Sequence, residues 1–366
     1  MTTNTERHSF RKRTTLIAGA LVAVLCVSSL LAACGSSGSS SSTDNTAANG
    51  SADFGTLDYQ LSWIKNTEFA GEYIADSSGF YKDAGFSSVN LIAGGPSVAQ
   101  DAVVAAGKAF IGISAPDITA PAILKGAPLV AIAALFQKNP FAVMSLASNP
   151  INTPQDMIGK KIGVQAVNEP IWAAFLEANN IDPASITKVP AQFDPQPLVA
   201  GEVDGWFSFY TNEPNLLASQ GIATTTFLLN DYNYPMVSQI FVVRKDSLTK
   251  DREKIKAILL ADIKGWLASI KDPTAGPQLT ISKYGKDLGL DLAEQTLESK
   301  AQNKLIVTPD TQANGIMTLT PSLIAQTIST LKLAGVQISA EQLFDTSVLA
   351  EVYAAHPELK TVPTPG

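Results

Sequence analysis

Two segments of the chain share one pattern: FAVMSLASN at residues 141–149 and IFVVRKDSL at residues 240–248. Each begins with a short apolar run, typical of a buried strand, and continues through a polar exit into a helical pattern. Strands and helices alternate before the first segment and again between the two. We therefore predict that the chain crosses between two α/β lobes through residues 141–148 and returns through residues 239–244.

Strand patterns recur at short spacing on both sides of the first crossing. The strand-like runs lie at residues 57–63, 89–93, 110–114, 128–136, 161–165, 186–191, 205–210 and 224–229. Helical patterns separate most of these runs, and repeated β–α–β units predict mostly parallel, doubly wound sheets. From residue 249 onward the chain is almost entirely helical, with amphipathic runs that we expect to complete and cover the first lobe.

The predicted organisation is two doubly wound α/β lobes joined by two hinge strands, with a helical C-terminal part. We expect ligand binding to close the lobes about these strands. The expected boundaries are a secretion signal at residues 1–33, a tether at 34–53, the first part of lobe one at 54–148, lobe two at 149–238, and the return to lobe one with the helical part at 239–366.

The N-terminus has the pattern of an export signal. Basic residues precede an uncharged run over residues 16–31, which is too short and wrongly flanked for a membrane span. The run ends in Leu31-Ala32-Ala33-Cys34, which resembles the bacterial lipobox, where the cysteine thiol takes a diacylglyceryl group. Residues 35–52 are rich in Ser, Gly and Asn and predict a flexible tether with a reach of about 25 Å. We expect an extracytoplasmic protein, lipid-anchored to a bacterial cell membrane; the alternative is a secreted protein with a chance cysteine.

Composition excludes several classes of function. The 366 residues include 26 basic and 33 acidic side chains; removal of residues 1–33 takes away four basic and one acidic, which leaves a net charge of −10. Such a chain lacks the basic surface that nucleic acid requires. The two cysteines stand at positions 26 and 34 and the two histidines at 8 and 356. Cysteine nucleophiles, histidine catalysis, bound metals and cofactors are therefore not expected.

Four stretches of the chain resemble the family that contains the alkanesulfonate-, nitrate- and thiamine-pyrimidine-precursor-binding proteins. They are LSWIKNTEFAGEYIADSSGFYKDAG at 61–85, AFIGISAPDITAPAILKGAPLVAIAALFQKNP at 109–140, TPQDMIGKKIGV at 153–164 and YTNEP at 210–214. The resemblance implies the type II periplasmic-binding-protein fold, with the ligand held in the cleft between lobes. It also implies a monomeric, non-enzymatic substrate-binding lipoprotein whose partners are its small-molecule ligand and the permease and ATPase subunits of an ABC importer.

Candidate ligand contacts in the first lobe lie where strands end. They are Trp63, Asn66, Gly95, Ser97, Ser114 and Asp117. An indole face and an amide at the first strand end could reach the cleft, and the glycines at 94–95 permit close backbone approach at a helix start. Two alternatives remain open: Trp63 as a core residue, and Asp117 as the cap of the helix that begins beside it.

Candidates in the second lobe cluster around the strand at residues 205–210. They are Trp206, Tyr210, Asn212 and Glu213, with Glu169, Trp172 and Tyr234 as a further group. Side chains alternate along a strand, so Trp206 and Tyr210 share one face. An aromatic ring beside an amide and a carboxylate suits a flat heterocycle whose amino groups donate to the carboxylate. The alternatives are a helix-start carboxylate at Glu213 and exposed loop residues in the further group.

The charge of these loops indicates the ligand class. The strand-end loops from Trp63 to Tyr210 contain no arginine, and Lys65 is the one basic candidate. A sulfonate or nitrate needs cationic donors, so a thiamine pyrimidine precursor or a flavin-like compound is favoured, with sulfonate, taurine or nitrate as the alternative. A synthase of the same fold family makes the thiamine pyrimidine with a cysteine-rich iron motif. That enzymatic alternative is disfavoured because the mature chain has no internal cysteine and carries one histidine, His356, in its C-terminal tail.

Overall fold

The computed structural model of the protein describes residues 53–95, 98–192 and 194–365. The predicted secretion signal, the lipobox cysteine Cys34, the tether up to residue 52 and the candidate contact Ser97 lie outside the described residues. Within the described part of the chain, no helix combines the length and the apolar character needed to cross a membrane.

Ten strands of the described chain form two five-stranded sheets. In chain order they are β1 (Gly55–Gln60), β2 (Phe86–Ile92), β3 (Ile111–Ser114), β4 (Leu129–Phe136), β5 (Phe141–Leu146), β6 (Lys161–Gln165), β7 (Thr187–Ala191), β8 (Gly205–Phe209), β9 (Thr224–Leu228) and β10 (Ser238–Arg244). The first sheet has the order β2-β1-β3-β10-β4, and the second has the order β7-β6-β8-β5-β9. We call each sheet, with the helices that cover it, the first and the second lobe.

Each sheet combines parallel strands with one inserted antiparallel strand. In the first sheet β1 pairs in parallel with β2 and β3, whereas β10 runs antiparallel between β3 and β4. In the second sheet β6 pairs in parallel with β7 and β8, whereas β5 runs antiparallel between β8 and β9. The predicted pair of α/β lobes is confirmed. The inserted strand of each sheet is the first one that the chain forms after it crosses from the other lobe.

The crossings lie beside the predicted hinge strands rather than within them. Residues 137–140 lead from β4 into β5, which already belongs to the second sheet, and residues 229–237 lead from β9 back to β10. Asn139 joins the two connections, since its Nδ2 donates to the Tyr234 carbonyl at 2.7 Å and its Oδ1 accepts the Phe141 N–H at 3.2 Å. The first part of lobe one therefore ends before Phe141. An apolar strand buried on both faces has the same pattern in either sheet, so the sequence could not show which sheet it joins.

Fifteen α-helical segments of the described chain surround the sheets. They are α1 (Ala70–Ser77), α2 (Phe80–Asp83), α3 (Gln100–Ala105), α4 (Pro116–Leu124), α5 (Glu169–Ala178), α6 (Gln196–Val199), α7 (Glu213–Ser219), α8 (Ser247–Lys250), α9 (Arg252–Lys271), α10 (Ala275–Leu279), α11 (Leu292–Ile306), α12 (Pro309–Asn314), α13 (Pro321–Leu333), α14 (Ala340–Leu343) and α15 (Ser347–Ala355). Short 3₁₀ turns lie at Thr67–Phe69, Pro154–Met157, Ala166–Asn168, Pro183–Ser185, Leu229–Asp231 and Pro357–Lys360, and a π-helical turn at Thr280–Tyr284.

The C-terminal helices pack against both lobes. α9 lies along α1, and the two helices touch at Gly71 and Gly265, where a Cβ on Gly265 would stand 2.1 Å from the Gly71 carbonyl oxygen. α11 packs on the turn Thr67–Phe69 of the first lobe and on α7 of the second. α13 packs on α4 of the first lobe and on α5 of the second. The expectation that these helices cover the first lobe is therefore too narrow, because amphipathic periodicity does not show which element covers the apolar face.

Candidate functional site

A cavity of about 370 Å³ lies between the two lobes. Its walls come from the loops that follow β1, β2 and β3 of the first lobe, from the ends of β6 and β8 of the second, and from the first residues of β5 and β10. Ligands of α/β proteins bind at this edge of a parallel sheet, because strand ends, loops and helix N-termini converge there. The cavity is therefore the candidate ligand site.

Six of the residues predicted from the sequence line this cavity. They are Trp63, Gly95, Ser114, Asp117, Asn212 and Glu213. The first four lie at or just after the carboxyl ends of β1, β2 and β3, and the last two lie at the start of α7. The fold thus brings residues from both lobes to one cavity. The role of these side chains as ligand contacts stays a prediction.

Three further aromatic candidates are buried in apolar clusters and do not line the cavity. Trp206 packs over Gly163 of the neighbouring strand, filling the space that the missing side chain leaves. Trp172 meets Phe207 edge-on, with the ring centroids 5.9 Å apart. Tyr234 lies in the same apolar cluster as Trp172. A large ring near a strand end suits a core as well as a ligand site, so the pattern could not separate the two.

Three further candidates also lie away from the cavity lining. Asn66 is buried, and its Nδ2 donates to Glu298 Oε1 of α11 at 2.9 Å, so it connects the first lobe to a C-terminal helix. Tyr210 packs against the apolar core of the first lobe. Glu169 lies at the surface, where its carboxylate pairs with Lys188 Nζ at 2.5 Å. Contacts outside the cavity thus hold all three side chains.

Two buried carboxyl groups line the cavity, one from each lobe. Glu68 is 7% exposed, and its Oε1 accepts hydrogen bonds from Gln239 Nε2 at 2.7 Å and Ser62 Oγ at 3.4 Å. Glu213 is 8% exposed, and its Oε2 accepts the Phe209 N–H at 2.8 Å. Burial raises the pKa of each group to about 7, against the opposing effect of these hydrogen bonds. Near neutral pH both carboxyl groups therefore bind protons more readily than an exposed glutamate does.

A third carboxyl group, Asp117, lines the wall of the first lobe. Burial, with a smaller contribution from the charge of Asp101, raises its pKa to about 6. None of the described residues that line the cavity is Lys, Arg or His. The cavity therefore offers an anionic ligand no cationic partner, and its carboxylates would repel one.

Two oxygens of the first-lobe wall, Asp117 Oδ1 and Gln239 Oε1, are buried and have no hydrogen-bond partner among the described residues. The hydroxyl of Ser114 is hydrogen-bonded to the carboxyl group of Asp101. Gln239 adopts φ +47°, a left-handed conformation that costs a non-glycine residue free energy and persists only where the surroundings fix it. Its bond to Glu68 directs the amide nitrogen to the carboxyl group and leaves the amide oxygen unpaired. Because buried polar atoms are nearly always paired, this wall suits an occupant that donates hydrogen bonds, whether water or a ligand.

Aromatic rings provide much of the remaining wall. Phe141 of β5 lies edge-on to Phe209 at 5.4 Å between ring centroids and 5.6 Å from Phe207, and all three line the cavity. Trp63 adds an indole from the first lobe. Flat apolar faces beside hydrogen-bond acceptors suit a planar heterocycle. Within the described chain, no group of His, Cys, Asp or Glu side chains is arranged to hold a metal ion.

Sequence reasoning missed several lining residues, of which Glu68, Phe141 and Gln239 matter most to the chemistry. A signal existed for Glu68, because it is an acidic residue near the start of a helix, five positions after Trp63. No local pattern marks Gln239, which the return crossing brings to Glu68 from far along the chain. Phe141 begins the predicted hinge strand, and the strand pattern does not show that its ring faces the cavity.

Comparison with known proteins identifies the family. The model of a family described as NMT1/THI5 like matches residues 66–276, more than half of the chain. The chain belongs to the NMT1/THI5-like family. This confirms the resemblance seen in the sequence. Relatives of this NMT1/THI5-like protein include the formylaminopyrimidine-binding protein of Halalkalibacterium halodurans, 25% identical over 226 residues that cover 60% of this chain and 67% of that protein.

A second relative is the riboflavin-binding protein RibY of Chloroflexus aurantiacus, 25% identical over 256 residues, which cover 67% of this chain and 72% of that protein. Among solved structures, the periplasmic aliphatic sulphonate binding protein SsuA of Escherichia coli superposes with a TM-score of 0.62 at 14% identity, covering 79% of this chain and 92% of that one. This likeness shows the fold: the NMT1/THI5-like chain has the architecture of periplasmic binding proteins.

Proposed function

We propose that the protein is the extracytoplasmic substrate-binding subunit of an ABC importer and captures a small aromatic heterocycle that bears amino groups. The observation that carries this proposal is the acidic, acceptor-rich cavity between the lobes, with Glu68, Asp117 and Glu213 in its walls and no cation among its described lining residues. Amino groups of the ligand would donate to these carboxylates, and the ring would lie against the aromatic side chains.

The relatives support this ligand class. One is named for binding a formylaminopyrimidine and another for binding riboflavin, both planar nitrogen heterocycles. We therefore propose a thiamine pyrimidine precursor or a flavin-like compound as the ligand. A sulfonate, taurine or nitrate is the alternative, and the cavity disfavours it because these anions need cationic or strongly donating partners.

A binding role fits the cavity better than catalysis. The described chain contains a single histidine, His356, which lies in the C-terminal region beside Glu358 at 3.2 Å and does not line the cavity. The buried carboxyl groups accept hydrogen bonds that hold them in place, and no group of His, Cys, Asp or Glu side chains among the described residues is arranged to hold a metal ion. We propose that the ligand is captured and delivered unchanged to a permease driven by an ATPase subunit.

A ligand panel tests the proposed function. We expect a formylaminopyrimidine or riboflavin, but not an alkanesulfonate or nitrate, to raise the melting temperature of the protein. A ligand at one hundred times its Kd stabilises the folded state by about 2.7 kcal/mol, which a thermal-shift assay resolves. Isothermal titration calorimetry of each hit gives the stoichiometry, expected to be one ligand per chain. Stabilisation by a sulfonate or nitrate alone would contradict the proposed ligand class.

The membrane attachment is tested separately. We expect Cys34→Ala to abolish membrane retention of the mature protein, because Cys34 is the proposed lipidation site and no helix of the described residues can span a membrane. Fractionation of cells that express either form, followed by immunoblotting, measures this. The matched control is Cys26→Ala, which lies inside the predicted signal and should leave retention unchanged. Membrane retention of a processed Cys34→Ala protein would disprove the anchor.

A further inference from the structure

A second pocket, of about 240 Å³, lies in the first lobe, at the opposite ends of the strands from the cavity. It is formed at the start of β1, by residues 107–110 before β3, at the end of β10 and by the first turn of α9. Three cationic side chains line it, Lys108, Arg244 and Lys254, together with one carboxylate, Asp58. Its charge is thus opposite to that of the cavity between the lobes and to the net charge of −7 of the chain.

The two lysines of this pocket lack a carboxylate partner. Lys254 Nζ lies 4.4 Å from the centroid of the Phe110 ring, a cation–π contact that positions the ammonium group without neutralising it. Neither Lys254 nor Lys108 forms an ion pair with a described residue. The single carboxylate, Asp58, accepts a hydrogen bond from Asn90 Nδ2 at 3.0 Å. The pocket therefore keeps an excess of positive charge.

The third cation is held in a fixed position. Arg244 donates from Nη1 to the Ala105 carbonyl at 2.5 Å and from Nε to Asp246 at 3.3 Å. Asp246 also pairs with Lys250 at 2.9 Å, so its charge is shared between two cations. Like charges that converge on one pocket repel one another, and an anion bound among them removes that repulsion.

We propose that this pocket is an anion site that takes a phosphate group. A guanidinium and two ammonium groups match the several oxygens and the charge of a phosphate better than they match a single carboxylate. The phosphate can come from a free phosphate ester or from the headgroup of an anionic lipid, since both present negatively charged phosphate oxygens, in a monoester and a diester respectively. The site is separate from the cavity between the lobes, and so is independent of the ligand proposed there.

Titration of the full chain tests the site. We expect inorganic phosphate and glycerol 1-phosphate to bind saturably in calorimetry, and the double variant Lys108→Gln/Lys254→Gln to weaken this binding more than about tenfold. The control variant Lys286→Gln/Lys332→Gln removes the same charge from exposed positions outside the pocket and should bind as the wild type does. Absence of saturable binding, or equal loss in both double variants, would overturn the proposal.

A short-chain phosphatidylglycerol below its micelle concentration distinguishes the two sources of phosphate, with short-chain phosphatidylcholine as the control. Tighter binding of phosphatidylglycerol than of glycerol 1-phosphate supports a lipid headgroup, and the reverse order supports a free ester. Thermal-shift response to the heterocycle panel should be the same in the pocket variant and the wild type. A loss of that response in the pocket variant would contradict the independence of the two sites.

Discussion

Glu213→Gln is expected to weaken the binding of an amino-bearing heterocycle by roughly 10- to 150-fold. A hydrogen bond to a charged group contributes about 1.5–3 kcal/mol, and each 1.4 kcal/mol is a factor of about ten in Kd. The substitution removes the charge but keeps an oxygen that can accept the Phe209 N–H, so the turn between β8 and α7 is retained. Calorimetric titration of the wild type and the variant measures the effect, and thermal denaturation checks that folding is preserved.

An anionic ligand reverses the sign of this prediction. If the protein binds a sulfonate, Glu213→Gln should strengthen binding, because it removes a like charge from the cavity. Glu169→Gln is the matched control: it neutralises a carboxylate of the same lobe that lies at the surface, paired with Lys188. Equal affinities of Glu213→Gln and wild type for both ligand classes would mean that Glu213 serves only the turn at the start of α7.

Ligand affinity is expected to fall by at least about tenfold between pH 8 and pH 5.5. In the unliganded protein burial raises the pKa of Glu68 and of Glu213 to about 7, so both groups bind protons as the pH falls through neutrality. Hydrogen-bond donors of the ligand favour the ionised form of each carboxyl group. A protonated carboxyl group must therefore lose its proton before the ligand binds. Each carboxyl group that must ionise lowers the affinity by up to about tenfold per pH unit below its pKa. Calorimetry at several pH values measures this, with a pyrimidine that does not itself titrate in the range.

The variants separate the two carboxyl groups. Glu213→Gln should retain the pH dependence contributed by Glu68, and Glu68→Gln/Glu213→Gln should bind weakly with a much flatter profile. Glu68→Gln keeps one oxygen that can accept these hydrogen bonds, because both Gln239 and Ser62 donate to the same atom, Oε1. Affinity that rises on acidification would instead indicate an anionic ligand and would contradict the proposed ligand class.

The lobes and their strands could be predicted from the sequence, but the crossing between lobes was misplaced. Apolar runs bounded by turns mark strands reliably, and their alternation with helices leaves few possible topologies. Which sheet a strand joins depends on long-range pairing, such as that of Phe141 with Phe209 across β5 and β8. That pairing leaves no local signal, so the apolar pattern of residues 141–148 predicts a hinge strand where the structure has β5 of the second sheet.

The candidate site was predictable where a residue stands at a strand end with free space beside it. Trp63, Ser114 and Glu213 satisfy this rule and line the cavity. Trp206 does not follow this rule, because Gly163 on the adjacent strand leaves a space that the indole fills. The sequence of one strand does not reveal a contact that is formed by residues of two strands. Gln239 was missed for the related reason that its neighbour Glu68 comes from another part of the chain.

The packing of α11 and α13 on both lobes has a kinetic consequence. Any movement that separates the lobes must break the contacts of α11 and of α13 with one lobe or the other. If ligand exchange requires that movement, the fraction of time for which these contacts are broken scales the association and dissociation rates together. In the proposed importer subunit, slow exchange of this kind would leave the timing of ligand release to the transporter.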